Sequence, residues 1–413
     1  MRRCLSPMPF TSELITSDEK VAEVAAAIAA SGEFAFDLEF VSDGRFIPEL
    51  ALVQLAWGDV EAPDIALIDC KNMAPQPIFD LIADENIATI AHAAKQDLGL
   101  LVARYDVRAK SLWDTQIAAA FVGLGEQIGY GKLVAAELDL TLDKGAQFTA
   151  WLKRPLTAAQ MRYAVNDVLY LPRMWRSLKA QLEERGRLGW VREESDVMAR
   201  DCVRVPEEGE AYKNIKAWKS MQPKALGALR ELAGWRIRTA VDKNKPLSWL
   251  LPDKAMVELC RKPPRDVRDI KKVRGVGEGT LRRYGEVIVD HIRAGMAKPI
   301  KGPKRGPDRQ LSAHGQSWSS VAATVIQSLA ATEKIAARFL GTRSDAEDLV
   351  LWYETPEAQR VDDEVALLHG WRRELAGNAL LRWLDGAESI VADPDSLGGL
   401  SLISAKTADN SQS

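Results

Sequence analysis

Residues 34–40 read FAFDLEF, an apolar run that carries two carboxylates. In an extended strand successive side chains point to opposite faces, so Asp37 and Glu39 share one face. The other face carries the apolar side chains of Phe34, Phe36, Leu38 and Phe40. Two like charges side by side on a strand this apolar resist ionisation, and we expect at least one of the two acids to have a raised pKa. A salt bridge, water or a metal ion would relieve their repulsion.

A sheet with helices packed on it is predicted from the pattern that follows this strand. Three further apolar runs have strand length, at residues 49–57, 64–70 and 87–93. Helical spacing of apolar residues is found before and after them, at residues 19–30, 95–104, 114–122 and 132–138. A longer helix should begin near Thr157, with Gln160 completing its N-terminal cap. Strands alternating with helices predict an α/β fold.

Composition narrows the class of protein. The 413 residues are enough for two or three domains, and 46% hydrophobic with 27% charged residues is ordinary for a globular protein. No run of about 18 uncharged apolar residues occurs, and the N-terminus lacks a signal-peptide pattern, so we expect a cytoplasmic protein without membrane contact. The cysteines and the four histidines are dispersed, which predicts neither disulfides nor a zinc site. The cysteines are Cys4, Cys70, Cys202 and Cys260.

Charge is distributed unevenly along the chain. Residues 220–295 hold 17 Lys or Arg against 9 Asp or Glu, although the whole chain has a net charge of −3. Such a basic segment is typical of a nucleic-acid-binding surface, but a solvated helical surface would have the same composition.

Three more residues are candidates for a metal-binding or catalytic role. Asp97 falls in the first turns of the helix predicted at 95–104, and Tyr163 and Asp167 lie four residues apart, on one face of the helix after Thr157. A single buried aspartate is usually a cap or an ion-pair partner. Together with Asp37 and Glu39, however, the acids supply four hard oxygen ligands, enough for a pair of Mg²⁺ or Mn²⁺ ions acting at a phosphate.

The segments DLEF, HAAKQD and YAVND resemble the three exonuclease motifs of the DEDD superfamily, in the branch with a tyrosine four residues before the last aspartate. Longer flanks resemble the ribonuclease D family: DLEFVSDGRFIPELALVQL, LWDTQIAAAFVG and TLDKGAQFTAWLKRPLTAAQMRYAVNDVLYLP. The basic segment is similar to the HRDC domain, a helical nucleic-acid-binding module. One departure is Ala150, where the family commonly has an acid before the tryptophan of WLKRPL.

The resemblance implies an RNase H-like exonuclease domain, with a mixed sheet flanked by helices, followed by all-α regions. We assign residues 1–205 to the exonuclease domain, 215–296 to the HRDC domain and 311–400 to a helical C-terminal domain in the place of a second HRDC-like domain. Composition predicts a basic Pro/Gly linker at 297–310, and we expect a disordered tail at 401–413. We assume a monomer.

Site roles are also implied by the resemblance. Asp37 would bridge two metal ions, Glu39 and Asp167 would complete the first site, and Asp97 would serve the second, in part through water. Tyr163 would orient the attacking water, the alternative being a core tyrosine. The products would be nucleoside 5′-monophosphates released from RNA 3′ ends, with tRNA precursors as the implied substrates.

Weaker signals have plainer alternatives. The glycine-rich segment 273–280 opens a helix, and its backbone N–H groups could face a phosphate, or it is only a tight connection. The cations around it are candidate nucleic-acid ligands: Lys271, Lys272, Arg274, Arg282 and Arg283. We interpret His92 as structural and Asp114 as a helix cap.

Two other functions use the same residues. A related exonuclease acting on DNA would need the same four acids, because metal chemistry does not distinguish the sugars and a contact to the 2′-hydroxyl would. A non-catalytic RNA-binding protein that kept the fold would be favoured by loss of any ligand, and none is lost.

Overall fold

A mixed sheet organises the first part of the molecule. The computed structural model describes residues 14–142, 149–202, 205–301 and 311–405. Our expectations for Cys4, for residues 143–148, for most of the 297–310 linker and for residues 406–413 concern residues outside these ranges. Within them the strands of this sheet are β1 (Leu14–Ile15), β2 (Glu33–Val41), β3 (Glu49–Trp57), β4 (Asp64–Asp69), β5 (Ala88–Ala91) and β6 (Leu112–Asp114).

The strand order is β1-β4-β3-β2-β5-β6. Strands β2, β3 and β4 form an antiparallel meander, whereas β5 and β6 run parallel to β2 and β1 runs parallel to β4. The predicted α/β class is therefore confirmed. The position of β2 between two neighbours fixes the backbone that carries Asp37 and Glu39.

Helices cover both faces of the sheet. Their bounds are α1 (Asp18–Ser31), α2 (Gln76–Ile82), α3 (Lys95–Tyr105), α4 (Thr115–Phe121), α5 (Tyr130–Leu138), α6 (Ala158–Leu169), α7 (Leu171–Glu184) and α8 (Leu188–Asp201). Phe34, Phe36 and Leu38 pack in a core with α1, α2 and α3 on one face. On the other face α6 packs against β3 and β4 through Ala164 and Val165.

The helix predicted after Thr157 is divided in two. A capping box between Thr157 and Gln160 starts α6 as expected, but α6 ends at Leu169 and α7 begins at Leu171. Pro172, at the second position of α7, explains the break because it has no N–H to continue the hydrogen bonds of the preceding helix.

The basic segment is a helical domain. Its α-helices are α9 (Pro223–Lys243), α10 (Leu247–Leu250), α11 (Asp253–Arg261), α12 (Val267–Ile270) and α13 (Glu278–Met296). Helices α9 and α13 approach closely at Gly227 and Gly295, where a Cβ on either glycine would lie 2.4 Å from a carbonyl oxygen of the other. Only glycine fits such a crossing.

The C-terminal region is largely helical, as predicted. It contains α14 (Ala313–Thr332), α15 (Ala337–Leu340), α16 (Arg343–Glu354), α17 (Gly370–Arg372), α18 (Asn378–Leu384), β7 (Glu388–Ala392) and β8 (Leu400–Ser404). Strands β7 and β8 pair antiparallel, so the expectation of disorder from residue 401 is wrong for residues 401–404. The hairpin is held because Ile390 and Leu402 pack against the main core.

This region packs directly on the exonuclease-like part. Phe121 contacts the rings of Phe339 and Trp371 at centroid distances of 5.2 and 5.3 Å. The buried Arg187 donates to the backbone oxygen of Glu333 at 2.7 Å and to its carboxylate at 2.5 Å. None of the helices in the described part of the chain combines the length and apolar composition of a transmembrane helix.

Candidate active site

Strand β2 separates its side chains as the alternation predicts. Phe34, Phe36 and Leu38 are buried in the core on one face, and Asp37 and Glu39 are partly buried on the other. A bulge in the pairing with β3 falls between Glu39 and Phe40, so the acidic face ends there.

Helix α6 lies over this acidic face. Oxygen atoms of Asp37, Glu39 and Asp167 all fall within 4.8 Å of one another. Tyr163 lies one turn before Asp167 on α6, and its ring packs beside the buried Trp151 at a centroid distance of 6.0 Å. The strand and the helix thereby bring together three of the four predicted acids.

Asp97 approaches from α3 and is 8% exposed. It does not belong to the group of three within 4.8 Å, but its charge contributes to the raised pKa of Glu39. The turn before α3 is held in place by a hydrogen bond of 2.9 Å from the Ala94 N–H to Oδ2 of Asp114. Ala93 in this turn has φ 57°, a left-handed conformation that is unusual for a residue with a Cβ.

The electrostatics of the site follow from four acids without a cation. Burial raises the pKa of Asp37 to about 7. Burial and the charges of Asp37, Asp167 and Asp97 raise the pKa of Glu39 to about 9. Burial and Asp37 raise the pKa of Asp167 to about 8, and the same two causes raise the pKa of Asp97. The prediction that Asp37 or Glu39 has a raised pKa is confirmed.

A divalent cation fits this donor set. Among the described residues, Oδ2 of Asp167 is buried and has no hydrogen-bond partner, and none of the four acids is in an ion pair. Carboxylate oxygens are the preferred ligands of Mg²⁺ and Mn²⁺, and a bound cation would relieve the mutual repulsion of the acids.

A second carboxylate in the same sheet is arranged differently. Asp69 on β4 and Glu39 on β2 are both paired with Leu52 of β3, so they share one row and one face, about 10 Å apart. Asp69 accepts two hydrogen bonds of 2.6 Å from the guanidinium of Arg154. Burial alone would raise the pKa of Asp69, but Arg154 brings it below its ordinary value.

His92 and Asp114 have the contacts of structural residues. The Thr115 hydroxyl donates to the Ala91 carbonyl at 3.0 Å and therefore accepts from Nδ1 of His92 at 2.9 Å. Burial lowers the pKa of His92, which keeps the ring neutral. Asp114 caps α4 by accepting from the N–H groups of Gln116 and Ile117, as predicted.

The candidate nucleic-acid ligands divide into groups. Lys271, Arg282 and Arg283 line one open cavity of about 810 Å³. Lys272 lines a different cavity and is paired with Asp269 at 2.8 Å. Arg274 lies in the turn between α12 and α13.

Sequence reasoning missed Tyr130 and the role of Arg154. The Tyr130 hydroxyl donates to the Asn166 carbonyl at 2.6 Å, one residue before Asp167, and so fixes the end of α6 beside the acids. No periodic pattern marks Tyr130, which lies between Gly129 and Gly131. Arg154 lies within the recognised WLKRPL segment, but a sequence does not reveal its partner on a strand 85 residues earlier.

Comparisons with known proteins agree with this geometry. Residues 12–183 match the model of a 3′–5′ exonuclease family, and residues 225–292 match that of the HRDC domain. A ribonuclease D from Sphingobium indicum is 33% identical over 385 residues, which cover 90% of this chain and 94% of that protein. The chain belongs to the ribonuclease D family.

Other ribonuclease D proteins extend the match. One from Gluconacetobacter diazotrophicus is 31% identical over 382 residues, covering 90% of this chain and 93% of that protein. The crystal structure of Escherichia coli RNase D, described as an exoribonuclease involved in structured RNA processing, superposes with a TM-score of 0.77 at 26% identity. The superposition covers 91% of this chain and 99% of the Escherichia coli chain. The predicted family, fold and enzyme class, a 3′–5′ exoribonuclease, are confirmed.

Proposed function

We propose that this ribonuclease D-family chain removes nucleotides one at a time from the 3′ ends of structured RNA, with tRNA precursors as the substrate class. The reaction would depend on two Mg²⁺ or Mn²⁺ ions and release nucleoside 5′-monophosphates. The observation that carries the proposal is the group of Asp37, Glu39 and Asp167 within 4.8 Å, near the buried Asp97 and in no ion pair with a described Lys or Arg.

Each residue has a role that its position supports. The charge of Asp37 raises the pKa of Glu39, Asp97 and Asp167, so Asp37 faces all three acids and would contact both cations. Glu39 and Asp167 would complete one site, and Asp97 would serve the other, in part through water. When bound, the cations supply an activated water and neutralise charge on the attacking and leaving oxygens at the phosphate. The protein's own contribution is to hold these oxygens in a fixed arrangement.

Tyr163 would orient the attacking water. Burial and the neighbouring acids raise the pKa of its hydroxyl, so it stays protonated at any working pH and both donates and accepts hydrogen bonds. Contact with Trp151 fixes the ring, and the position of Tyr163 one turn before Asp167 on α6 places its hydroxyl on the side of the acids.

The helical domain would hold the RNA beside this site. Its Lys271, Arg282 and Arg283 support phosphate contacts, which add affinity without sequence preference. Cytoplasmic localisation, a monomer and domain boundaries near residues 205, 215 and 296 remain part of the proposal.

Incubation of the protein with a 3′-extended tRNA precursor and Mn²⁺ tests the function. We expect the extension to shorten in steps of one nucleotide, and excess chelator or Asp37→Ala to stop the reaction. Activity that survived either treatment would contradict the metal mechanism.

An RNA and a DNA oligomer of one sequence, compared side by side, decide between the RNA and the DNA exonuclease. Binding without turnover would identify a non-catalytic RNA-binding protein.

A further inference from the structure

Trp249 is the one aromatic side chain among the large hydrophobic residues that are exposed in the described ranges, at 60% exposure. A tryptophan buries the largest apolar surface of any residue when it is covered, so its exposure on a folded domain needs an explanation. Its backbone is firmly held: the Trp249 carbonyl accepts from the Thr280 hydroxyl at 3.3 Å, which ties the short helix α10 to the start of α13.

Trp249 lies at the junction with the exonuclease domain. The loop between β2 and β3 follows the strand of Asp37 and Glu39, and a Cβ at Gly44 in this loop would lie 3.3 Å from the Trp249 ring. Gly44 is five residues beyond Glu39, which limits the distance between their Cα atoms to about 18 Å. The indole is therefore within reach of a short RNA strand that is bound at the candidate active site.

The loop is fixed to the helical domain by Asn244. Its side-chain oxygen accepts from the N–H groups of Phe46 at 3.0 Å and Ile47 at 2.8 Å. Phe46 is buried in the core of the helical domain. These contacts set Trp249 at a constant position relative to strand β2, which is what a substrate platform requires.

The surface around the indole is basic. A cavity of about 370 Å³ beside Trp249 has four charged lining residues, all of them cations: Lys243, Lys245, Arg282 and Arg283. Lys243 is paired with Asp242 at 2.9 Å, but Lys245, Arg282 and Arg283 are in no ion pair with a described residue. The Lys245 ammonium lies 5.6 Å from the Trp249 ring centroid, a cation–π distance.

An exposed indole beside cations that are in no ion pair with a described acid matches single-stranded nucleic acid better than it matches an apolar protein surface. Bases stack on aromatic rings whatever their sequence, and the adjacent phosphates are drawn to lysine and arginine. An apolar protein partner would instead have to bury three cations without counter-charges.

We propose that Trp249 is a base-stacking platform for the single-stranded 3′ part of an RNA substrate, upstream of the nucleotide that is removed. Arg282 and Arg283 contact the phosphates next to the stacked base. This inference rests on the proposed RNA exonuclease function and adds to it a binding position outside the catalytic acids. A strand must be long enough to extend from the acids past Gly44 before it gains the contact.

Steady-state degradation of two substrates tests the proposal: a dinucleotide, which has one nucleotide upstream of the scissile phosphate and on our proposal does not reach Trp249, and a single-stranded RNA of about twelve nucleotides, within the usual range of site sizes. Trp249→Ala should lower kcat/KM on the longer RNA about fivefold or more and leave the dinucleotide unchanged. Trp249→Phe should recover most of the loss, because it keeps a stacking ring. Leu397→Ala, which removes an apolar side chain of 69% exposure elsewhere, is the matched control.

A second arm tests the cations. The double substitution Arg282→Ala with Arg283→Ala should weaken binding of the longer RNA, measured in chelator. It should also reduce the slope of log Kd against the logarithm of the salt concentration by up to about two. Arg293→Ala, on the same helix but paired with Asp290, should behave as wild type.

The results separate the two proposals. Wild-type protein that degrades neither RNA contradicts the proposed function itself. If wild type degrades both RNAs and Trp249→Ala matches it on the longer one, the platform is wrong and a protein partner becomes the better explanation for the indole. Equal losses on both substrates, or no recovery with Trp249→Phe, would also overturn it, because they indicate a structural defect.

Discussion

Two carboxylates in one row of the sheet have opposite surroundings. Asp69 and Glu39 both pair with Leu52, on the same face, yet Asp69 is held by Arg154 and has a lowered pKa, whereas Glu39 has only acids around it and a pKa of about 9. Arg154 also donates to the carbonyls of Ala51 and Trp151, so its pair with Asp69 fastens a loop to the sheet.

The difference separates an acid held in a structural ion pair from an acid of the candidate metal site. A buried charge is tolerated when the fold supplies its counter-ion, and Asp69 has one. The group around Glu39 destabilises the metal-free fold because like charges are crowded without compensation. Such a cost is typical of sites that receive their positive charge from a ligand.

The largest effect should come from the acid at the centre of the group. Asp37→Asn keeps the shape of the side chain but removes the charge, and we expect exonuclease activity to fall by at least about 100-fold. The same change should raise the melting temperature of the metal-free protein at pH 8, because one repelling charge is gone. Turnover on a 3′-extended RNA and thermal unfolding in chelator measure the two effects. Retained activity would contradict the role of Asp37.

Tyr163→Phe should have the next largest effect on activity. The ring keeps its packing on Trp151, so stability should be close to wild type, whereas loss of the hydroxyl that we propose orients the attacking water should lower kcat by about 100-fold. Single-turnover kinetics at saturating RNA measure this step separately from binding. A normal kcat would make Tyr163 a core residue only.

Asp69→Asn should have effects opposite to those of Asp37→Asn: stability should fall and activity should remain. Leaving Arg154 without its charged partner should reduce the free energy of unfolding by about 1–3 kcal/mol, while the chemical step continues. Urea unfolding and turnover at a temperature well below the melting point measure both. A stabilising effect of this substitution would remove the contrast between the two acids.

The smallest effect is a pH dependence of stability in chelator. Glu39 has a pKa of about 9 in the fold against 4.5 in a model compound, so between these values the folded state holds more protons than the unfolded state. Stability contributed by this group is full below about pH 4 and declines as the pH rises to about 9. The free energy of unfolding of Glu39→Gln should therefore increase relative to that of wild type as the pH rises. Urea unfolding at a series of pH values measures this difference. A constant difference would contradict the raised pKa.

Much of the arrangement of the candidate active site was predictable because it depends on short-range patterns. Alternation along residues 34–40 decides which side chains share a face, and four-residue spacing on α6 aligns Tyr163 with Asp167. Asp114 and Thr157 were recognisable as caps for the same local reason.

The contacts that were not predictable join distant parts of the chain. Asp69 meets Arg154 across 85 residues, and Asn244 meets the loop after β2 across nearly 200. The β7–β8 hairpin was missed because its stability comes from packing on a core made by other segments. Trp249 could not be distinguished from a core tryptophan by sequence, since exposure is a property of the folded domain.

Calorimetric titration with Mn²⁺ tests the central claim most directly, using wild type, Glu39→Gln and the matched Asp69→Asn. The account predicts that wild type and Asp69→Asn bind Mn²⁺ alike, whereas Glu39→Gln loses about 10-fold or more in affinity. Binding by Glu39→Gln that equals wild type, or a wild-type protein that binds no Mn²⁺, would contradict the assignment of the acid group as a metal site.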